Sequence, residues 1–463
     1  MISSQRTVGI FFGGGNYMQK KNTRDLTVKM MIAMILGLLC GLGAIVLRES
    51  AGSTSAVWTT LNNLLFADIS AAGNESALGL FYIIGQLFVK ALQLVIIPMV
   101  FTSIVMAMVR ISDSRKLGRI SSKTIGYFLL TTVASILLAA IVGIIAYNLG
   151  AFTNTALDLA GQTGNTGSNP LMVLMNAVPN NLVSAFGNNG GVLAIVFSAV
   201  AVGLSVNALQ DKVTILPKLC QEVSDIVTIF LSFVVNKFGP IAIFCLITRT
   251  CAAYGITYLK PAMAYVLLTV VLLLLVLICG YGLFVYITTG LSPVKFVKKI
   301  AKVALFGFST SSSAATLPLN LQTAENDLGI NPEIASFVLP LGMTVNMDGT
   351  AIMQVIATIF IAGCSGYQIS FGSLLVIGLL AIVASIGTPA APGAGAVILF
   401  TILSGMGFTN DMALMTYSLI LAINRPIEML VTALNVVGDS ACAMAVAKSE
   451  GALNSEVFER EEK

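Results

Sequence analysis

Apolar positions along this chain fall in long blocks rather than in the alternations of a soluble domain. Residues 26–47, 78–108, 125–149 and 262–289 are each apolar almost throughout, and a helix needs ~20 such residues to cross a hydrocarbon layer. Further blocks near 190–209 and 226–247 bring the first part of the chain to six expected spans. Beyond residue 300 the pattern changes. Residues 306–321 and 383–403 are apolar but interrupted, the first by the serine-rich run 309–313 and Pro318, the second by Gly387, Pro389, Pro392, Gly393 and Gly395. Backbone groups freed by such residues cannot be left in lipid, so broken segments at membrane depth are buried in protein or line a watery cavity. Two of them in one chain predict paired re-entrant hairpins around a binding site; the plainer alternative is two short hairpins without function.

Composition agrees. Of 463 residues, 56% are hydrophobic and 10% charged, with a mean hydropathy of +0.92, whereas soluble domains carry about a quarter charged residues. A soluble core is excluded. The net charge of +4 is small for this length and sits in short loops, so it speaks to orientation and implies no nucleic-acid partner. Lys20, Lys21, Arg24 and Lys29 precede the first span and Arg110, Arg115, Lys116, Arg119 and Lys123 follow the second; no Lys or Arg then appears until Lys212, across the polar stretch 154–170. Lys218 and the group Lys295, Lys298, Lys299 and Lys302 mark later returns. By the positive-inside rule both termini face the cytoplasm and residues 154–170 form an external loop.

Some chemistry is removed by what is missing. There is no histidine, and the seven cysteines show no paired or metal-binding spacing; Cys40, Cys245 and Cys279 lie in apolar runs, where cysteine acts as a small hydrophobe. Enzymatic readings lose most of their usual residues, and no nucleophile stands beside an evident base. The run 8–12 is too short for a signal-peptide core, and Met18 offers an alternative translation start.

Three acids lie deep in apolar segments: Asp348, Glu428 and Asp439. Each costs at least ~2.5 kcal/mol at the bilayer centre, which makes an intramembrane acid a functional-site candidate. Glu428 and Asp439 are eleven residues apart, about three helical turns, and so share a face. Thr432 and Asn435 fall between them on the same stripe. Pairing of Glu428 with Arg425 at a helix interface is the structural alternative. Asp348 stands in the string Asn346, Met347, Asp348, Gly349, Thr350, where Gly349 weakens the helix. Carboxylate, amide, hydroxyl and carbonyl oxygens suit a hard cation, without choosing sodium over a proton.

Four strings, SSSAATLP from Ser311, NMDGT from Asn346, SIGTPAAPGAG from Ser385 and NRPIEMLVTALNVVGD from Asn424, resemble the dicarboxylate/amino acid:cation symporters, a family that includes the glutamate and neutral amino-acid transporters. The resemblance runs from residue 26 nearly to the end. It implies eight transmembrane helices plus two re-entrant helical hairpins, a homotrimer in a bacterial inner membrane, and an elevator mechanism. On that pattern residues 1–25 are a cytoplasmic tail, 26–122 scaffold helices one and two, 123–150 transport-domain helix three, and 151–255 scaffold helices four and five. Residues 256–448 complete the transport domain with helix six, inner hairpin, helix seven, outer hairpin and helix eight; 449–463 are a cytoplasmic tail.

The resemblance also implies cation sites. One would hold Gly342, Asn346, Asn435 and Asp439; a second Ser385, Ile386 and Thr388 with Thr344; a third Phe128, Thr131, Thr132, Asn346 and Asp348. The presence of both Asp348 and Asp439 favours sodium as the co-transported ion, with no organic cofactor. Gln354 stands where vertebrate glutamate carriers have a proton-carrying Glu. The implied substrate pocket comprises Ser312, Ser313, Thr350, Pro392, Gly395, Glu428, Val431, Thr432 and Asn435. Here the chain departs from the acidic-substrate pattern. Val431 replaces the Arg that reads a side-chain carboxylate, Ser311 replaces the inner-hairpin Arg of the archaeal aspartate carrier, Glu428 replaces an Asp, and Asn424 an upstream Asp. Glu428 can still receive an ammonium group, while Asn435, Thr350 and the Ser312 and Ser313 backbone suit an α-carboxylate. The expectation is a sodium-coupled symporter of a small neutral amino acid. Its alternatives are an acidic amino-acid or C4-dicarboxylate symporter and, from another class, an ion channel.

Overall fold

The computed structural model describes residues 17–52, 54–70, 73–112, 118–152, 175, 178–187, 192–209, 212–254 and 259–460. The run 8–12, Arg115, Lys116 and the stretch 154–170 lie outside the described residues. Among those described, nearly everything is helical; the one isolated bridge pairs Ile330 with Leu453 and there is no strand.

The chain opens with α1 (Tyr17–Ala51) and a short α2 (Ala56–Leu61). α3 (Leu80–Leu94) and α4 (Ile96–Ser112) follow in line, and then α5 (Gly118–Asn148). After α6 (Leu182–Phe186) come α7 (Val192–Leu209), α8 (Ile215–Phe233) and α9 (Gly239–Tyr254), the last two joined through a π turn at Val234–Phe238. α10 (Leu259–Leu275) and α11 (Tyr281–Thr289) are joined in the same way through Val276–Gly280. Seven helical stretches among the described residues are long and apolar enough to cross a membrane. The block expected as a fourth span forms α7, whose 18 residues reach ~27 Å at 1.5 Å per residue.

Both interrupted segments form hairpins. α12 (Pro293–Thr310) starts on the Ser292 cap and Pro293, and turns back as α13 (Ser313–Asn326) through Ser311, whose φ of 51° is left-handed, and Ser312, which caps α13 by accepting from the Ala315 N–H. α16 (Phe371–Ile386) begins in a Ser370–Ser373 capping box; residues 387–393 carry the chain round to α17 (Ala394–Gly405), with Gly393 at φ 85°. These caps answer helix-end N–H groups that have no partner within the helix.

The helix expected to run straight through Asp348 is broken. α14 (Pro332–Val345) stops at Asn346 and Met347, both off the helical conformation, and Asp348 is the first residue of α15 (Asp348–Cys364). The break precedes Gly349 instead of falling on it. Its cause is tertiary: Asn346 Nδ2 donates to Asp439 Oδ1 at 3.1 Å and the Gly349 N–H to Asn435 Oδ1 at 2.8 Å. The last apolar segment is divided likewise, into α18 (Asp411–Ile423) and α19 (Arg425–Ser449), which meet at Asn424. α15 and α19 are buried over almost their whole length and cross at the centre of the bundle, with α5, α10, α14 and both hairpins packed round them. α1 packs along α9, and α4 against α7 and α8. Residues 450–460, with the short α20 (Ser455–Glu459), fold back across the ends of α5, α12 and α14.

Candidate functional site

The two hairpin tips meet. Ser312 Oγ donates to the Ala390 carbonyl at 3.1 Å, and behind that contact lies a cavity of about 30 Å³ lined by Ser311, Ser313, Thr350, Glu428, Val431 and Asn435 together with Met347, Met353, Thr432 and the second tip. Each wall is tied to the core: Asn320 Nδ2 donates to the Val436 carbonyl at 3.0 Å, holding α13 on α19, and Gln354 Nε2 donates to the Gly395 carbonyl at 3.1 Å, holding α17 on α15.

Most of the expected substrate residues converge here. Ser313, Thr350, Gly395, Glu428, Val431, Thr432 and Asn435 line the cavity; Ser312 and Pro392 belong to the tips and stand outside the lining, Ser312 by virtue of its bond across to Ala390. The Asn435 amide is oriented by its neighbours, with Oδ1 accepting from Gly349 and Nδ2 lying 3.2 Å from Thr350 Oγ1 and 3.3 Å from Met347 Sδ. Thr432 Oγ1 is spent on the Glu428 carbonyl at 3.0 Å. Glu428 Oε2 accepts from Arg425 Nη1 at 3.5 Å, so the pairing considered as a structural alternative exists beside the cavity.

One layer deeper is a second polar cluster. Thr132 Oγ1 donates to Asp348 Oδ1 at 2.5 Å and the Tyr281 hydroxyl to Asp348 Oδ2 at 2.8 Å. Thr131 Oγ1 lies 3.1 Å from the Phe128 carbonyl and 3.3 Å from Asn346 Oδ1, and Asn346 reaches on to Asp439. Phe128, Thr131, Thr132, Asn346, Asp348 and Asp439 are thus one connected set. Asp348 and Asp439 are buried, and no ion pair among the described residues includes either. Two carboxylates met only by neutral donors in a water-poor place leave a large desolvation cost outstanding, which a hard cation among their oxygens offsets. Gly342 belongs to the set through space: a Cβ there would stand 2.5 Å from Asp439 Oδ1. Asn435 does so only by its carbonyl, one turn before Asp439, because its side chain faces the cavity.

The hydroxyls of the remaining expected site are held by their own backbone. Ser385, Thr388 and Thr344 each donate within their own segment, to the Ile382, Ala384 and Leu341 carbonyls at 2.9, 2.8 and 3.1 Å, and Ile386 closes α16.

Sequence reasoning passed over Tyr281 and Cys442. Cys442 Sγ is 3.9 Å from Thr131 Oγ1, and Tyr281 is delivered to Asp348 by the π turn just before it. Its hydroxyl occupies the space over Gly438 that any Cβ there would need. In sequence Tyr281 is one more apolar-span residue, and only the flanking Gly280 and Gly282 hinted at a close approach.

A family model described as "Sodium:dicarboxylate symporter family" matches residues 26–449. The chain belongs to that family. It is 29% identical over 418 residues to the proton/sodium-glutamate symport protein of Geobacillus stearothermophilus, covering 86% of this chain and 95% of the relative. The proton/glutamate-aspartate symporter of Escherichia coli K12 is 28% identical over 440 residues, covering 92% and 93%. The C4-dicarboxylate transport protein of Deinococcus deserti is 28% identical over 379 residues, covering 80% and 84%. Membership makes the helical architecture that of the glutamate transporters and the activity membrane transport by symport. The relatives' names speak of acidic amino acids and dicarboxylates, and so favour the acidic alternative over the neutral substrate that Val431 suggested.

Proposed function

We propose that this protein is a sodium-coupled symporter that imports an acidic amino acid or a C4-dicarboxylate through the cavity between the hairpin tips. The observation that carries the coupling is the Asp348–Asp439 cluster, two buried carboxylates joined through Asn346 and without a cationic partner among the described residues. Sodium entering it would neutralise the site. It would also hold the 346–347 break, from which Gly349 and Thr350 reach the cavity, so cation and substrate occupancy are linked through one piece of backbone. The names of the relatives support the acidic substrate. A neutral amino acid is the second reading, and it rests on Val431 lining the cavity where the family's acidic carriers keep an Arg.

In this reading the scaffold of helices one, two, four and five stays fixed in a trimer while the remainder slides, in a bacterial inner membrane with both termini cytoplasmic. The second tip, residues 387–393, is the gate. The deciding measurement is uptake of labelled L-aspartate, L-glutamate, succinate, L-alanine and L-serine into proteoliposomes under an inward sodium gradient. Concentrative uptake of one of them is expected, and equal uptake with choline in place of sodium would overturn the coupling. Under the same conditions Ala390→Cys should lose reactivity toward an impermeant thiol reagent once sodium and substrate are both present.

A further inference from the structure

The cavity has no Arg at 431 or 311, yet a guanidinium stands beside it. Arg425 is one turn before Glu428 on the same face of α19, and its residue is 5% exposed. Its Nη1 makes the long 3.5 Å contact with Glu428 Oε2, while Nε and Nη2 are buried and meet no acceptor among the described residues. The neighbouring Asn424 is held by its Oδ1, which accepts from the Tyr265 hydroxyl at 2.7 Å, while its Nδ2 is buried and makes no hydrogen bond of normal length among the described residues. Buried donors without acceptors are costly, and more so on a charged group. Such a place is complete only when an acceptor arrives, and the planar fork of a guanidinium matches a carboxylate.

We propose that Arg425 is the specificity-determining residue of this cavity, taking one carboxylate of the substrate on its unmet N–H groups while Glu428 takes the substrate's ammonium. The inference rests on the reading of the cavity as the substrate pocket. With the α-carboxylate left to Asn435, Thr350 and the Ser312 and Ser313 backbone, it selects an acidic amino acid, whose additional side-chain carboxylate meets Arg425. A dicarboxylate without an amine would set an anion against Glu428, and a neutral amino acid would leave the Arg425 donors unmet. A substrate that parts the two groups gives each a new partner, a carboxylate for Arg425 and an ammonium for Glu428, so neither buried charge is left unmet. Val431 then serves as an apolar wall, and the role that other family members give to an Arg three residues after the acid passes to one three residues before it.

The test uses the full-length purified protein in sodium chloride and in choline chloride, with binding of L-aspartate, L-glutamate, succinate, L-alanine and L-serine followed by thermal shift and titration calorimetry. The wild type should bind aspartate or glutamate more tightly than succinate, alanine or serine. Arg425→Gln should weaken that acidic ligand by about 10- to 100-fold, the loss of charge-assisted hydrogen bonding, and leave the neutral ligands no weaker; Arg425→Lys should fall between. A wild type that prefers alanine, serine or succinate overturns the assignment, as does an Arg425→Gln protein that keeps its aspartate affinity. Should Arg425→Gln fail to fold, the wild-type ranking and the Arg425→Lys protein decide. No sodium-dependent binding of any of the five would instead count against the transport reading itself.

Discussion

Two kinds of helix make up this molecule, and their apolar content runs opposite to their burial. The stretches Val28–Ala51 and Lys260–Thr289 are among the most apolar in the chain, yet only 33% of their most apolar window is buried; Pro332–Cys364 and Arg425–Ser449 are the least apolar of the seven, and in them 94% is buried. In water the relation would be reversed. Lipid tails are as apolar as leucine, so the outward helices need only be greasy, and what is hidden at the centre is what lipid cannot accept. α15 and α19 can hold Asp348, Gln354, Glu428, Asn435 and Asp439 because these side chains face protein and not lipid. Hydropathy therefore measures contact with lipid, and its dips mark the working part.

The largest effect expected from this contrast is on the cation cluster. Asp348→Asn keeps the shape of the side chain but removes a charge from the oxygens that Thr132 and Tyr281 orient; the sodium concentration for half-maximal uptake should rise roughly tenfold or more, the scale of a hydrogen-bonded charge. Leu274→Ala, at a lipid-facing position that is 40% exposed, should leave it unchanged. If the two variants shifted sodium dependence equally, the separation of working core from lipid-facing shell would be wrong.

The same contrast explains what was legible beforehand. Pro389, Pro392 and the flanking Gly387, Gly393 and Gly395 announced the second hairpin, and the serine run with Pro318 announced the first, because such residues interrupt helices. Asp348, Asp439 and Glu428 were visible because a charge in an apolar run is costly. The 346–347 break was not, since neither Asn346 nor Met347 disrupts a helix by itself and the bonds that hold it open come from Asp439 and Asn435, ninety residues away in sequence. Tyr281 was hidden for a related reason: in an apolar span a tyrosine reads as hydrophobe, and its role depends on a π turn that redirects one hydroxyl. Arg425 was visible as a candidate partner of Glu428. Its unmet donors belong to the folded protein.

A second effect, intermediate in size, compares glycines of the two regions. Gly438 lies under the Tyr281 hydroxyl with no room for a methyl group, whereas Gly43 on α1 has nothing within 4 Å of where its Cβ would be. Gly438→Ala should destabilise by ~1–3 kcal/mol through overpacking and displace Tyr281 from Asp348. Gly43→Ala should be neutral, or stabilising by up to ~1 kcal/mol through helix propensity. Thermal unfolding in detergent at fixed sodium reads both, and equal losses would mean that the core is no more tightly specified than the shell.

The smallest effect lies outside the spans, where the chain's end crosses the bundle. Glu450 accepts from Lys123 Nζ and from Arg119 Nε and Nη2 at the start of α5, and Lys123 also donates to the Ser449 carbonyl at 3.0 Å. The Lys123 and Arg119 hydrogen bonds hold the Glu450 carboxyl below its ordinary value of 4.5. A folded pKa below the unfolded one means that the contact stabilises fully above the unfolded value and is lost as pH falls through the folded value. The wild type and Glu450→Gln should therefore unfold at the same temperature in strong acid and separate as pH rises past roughly 4 to 5, with the wild type the more stable. The separation should be small, because Arg119 is 78% exposed, and it should shrink further as added salt screens the pair. A difference that persists unchanged into strong acid would show that Glu450 matters through its packing, and that the ion pairs at this end of α5 contribute nothing to holding the terminal segment in place.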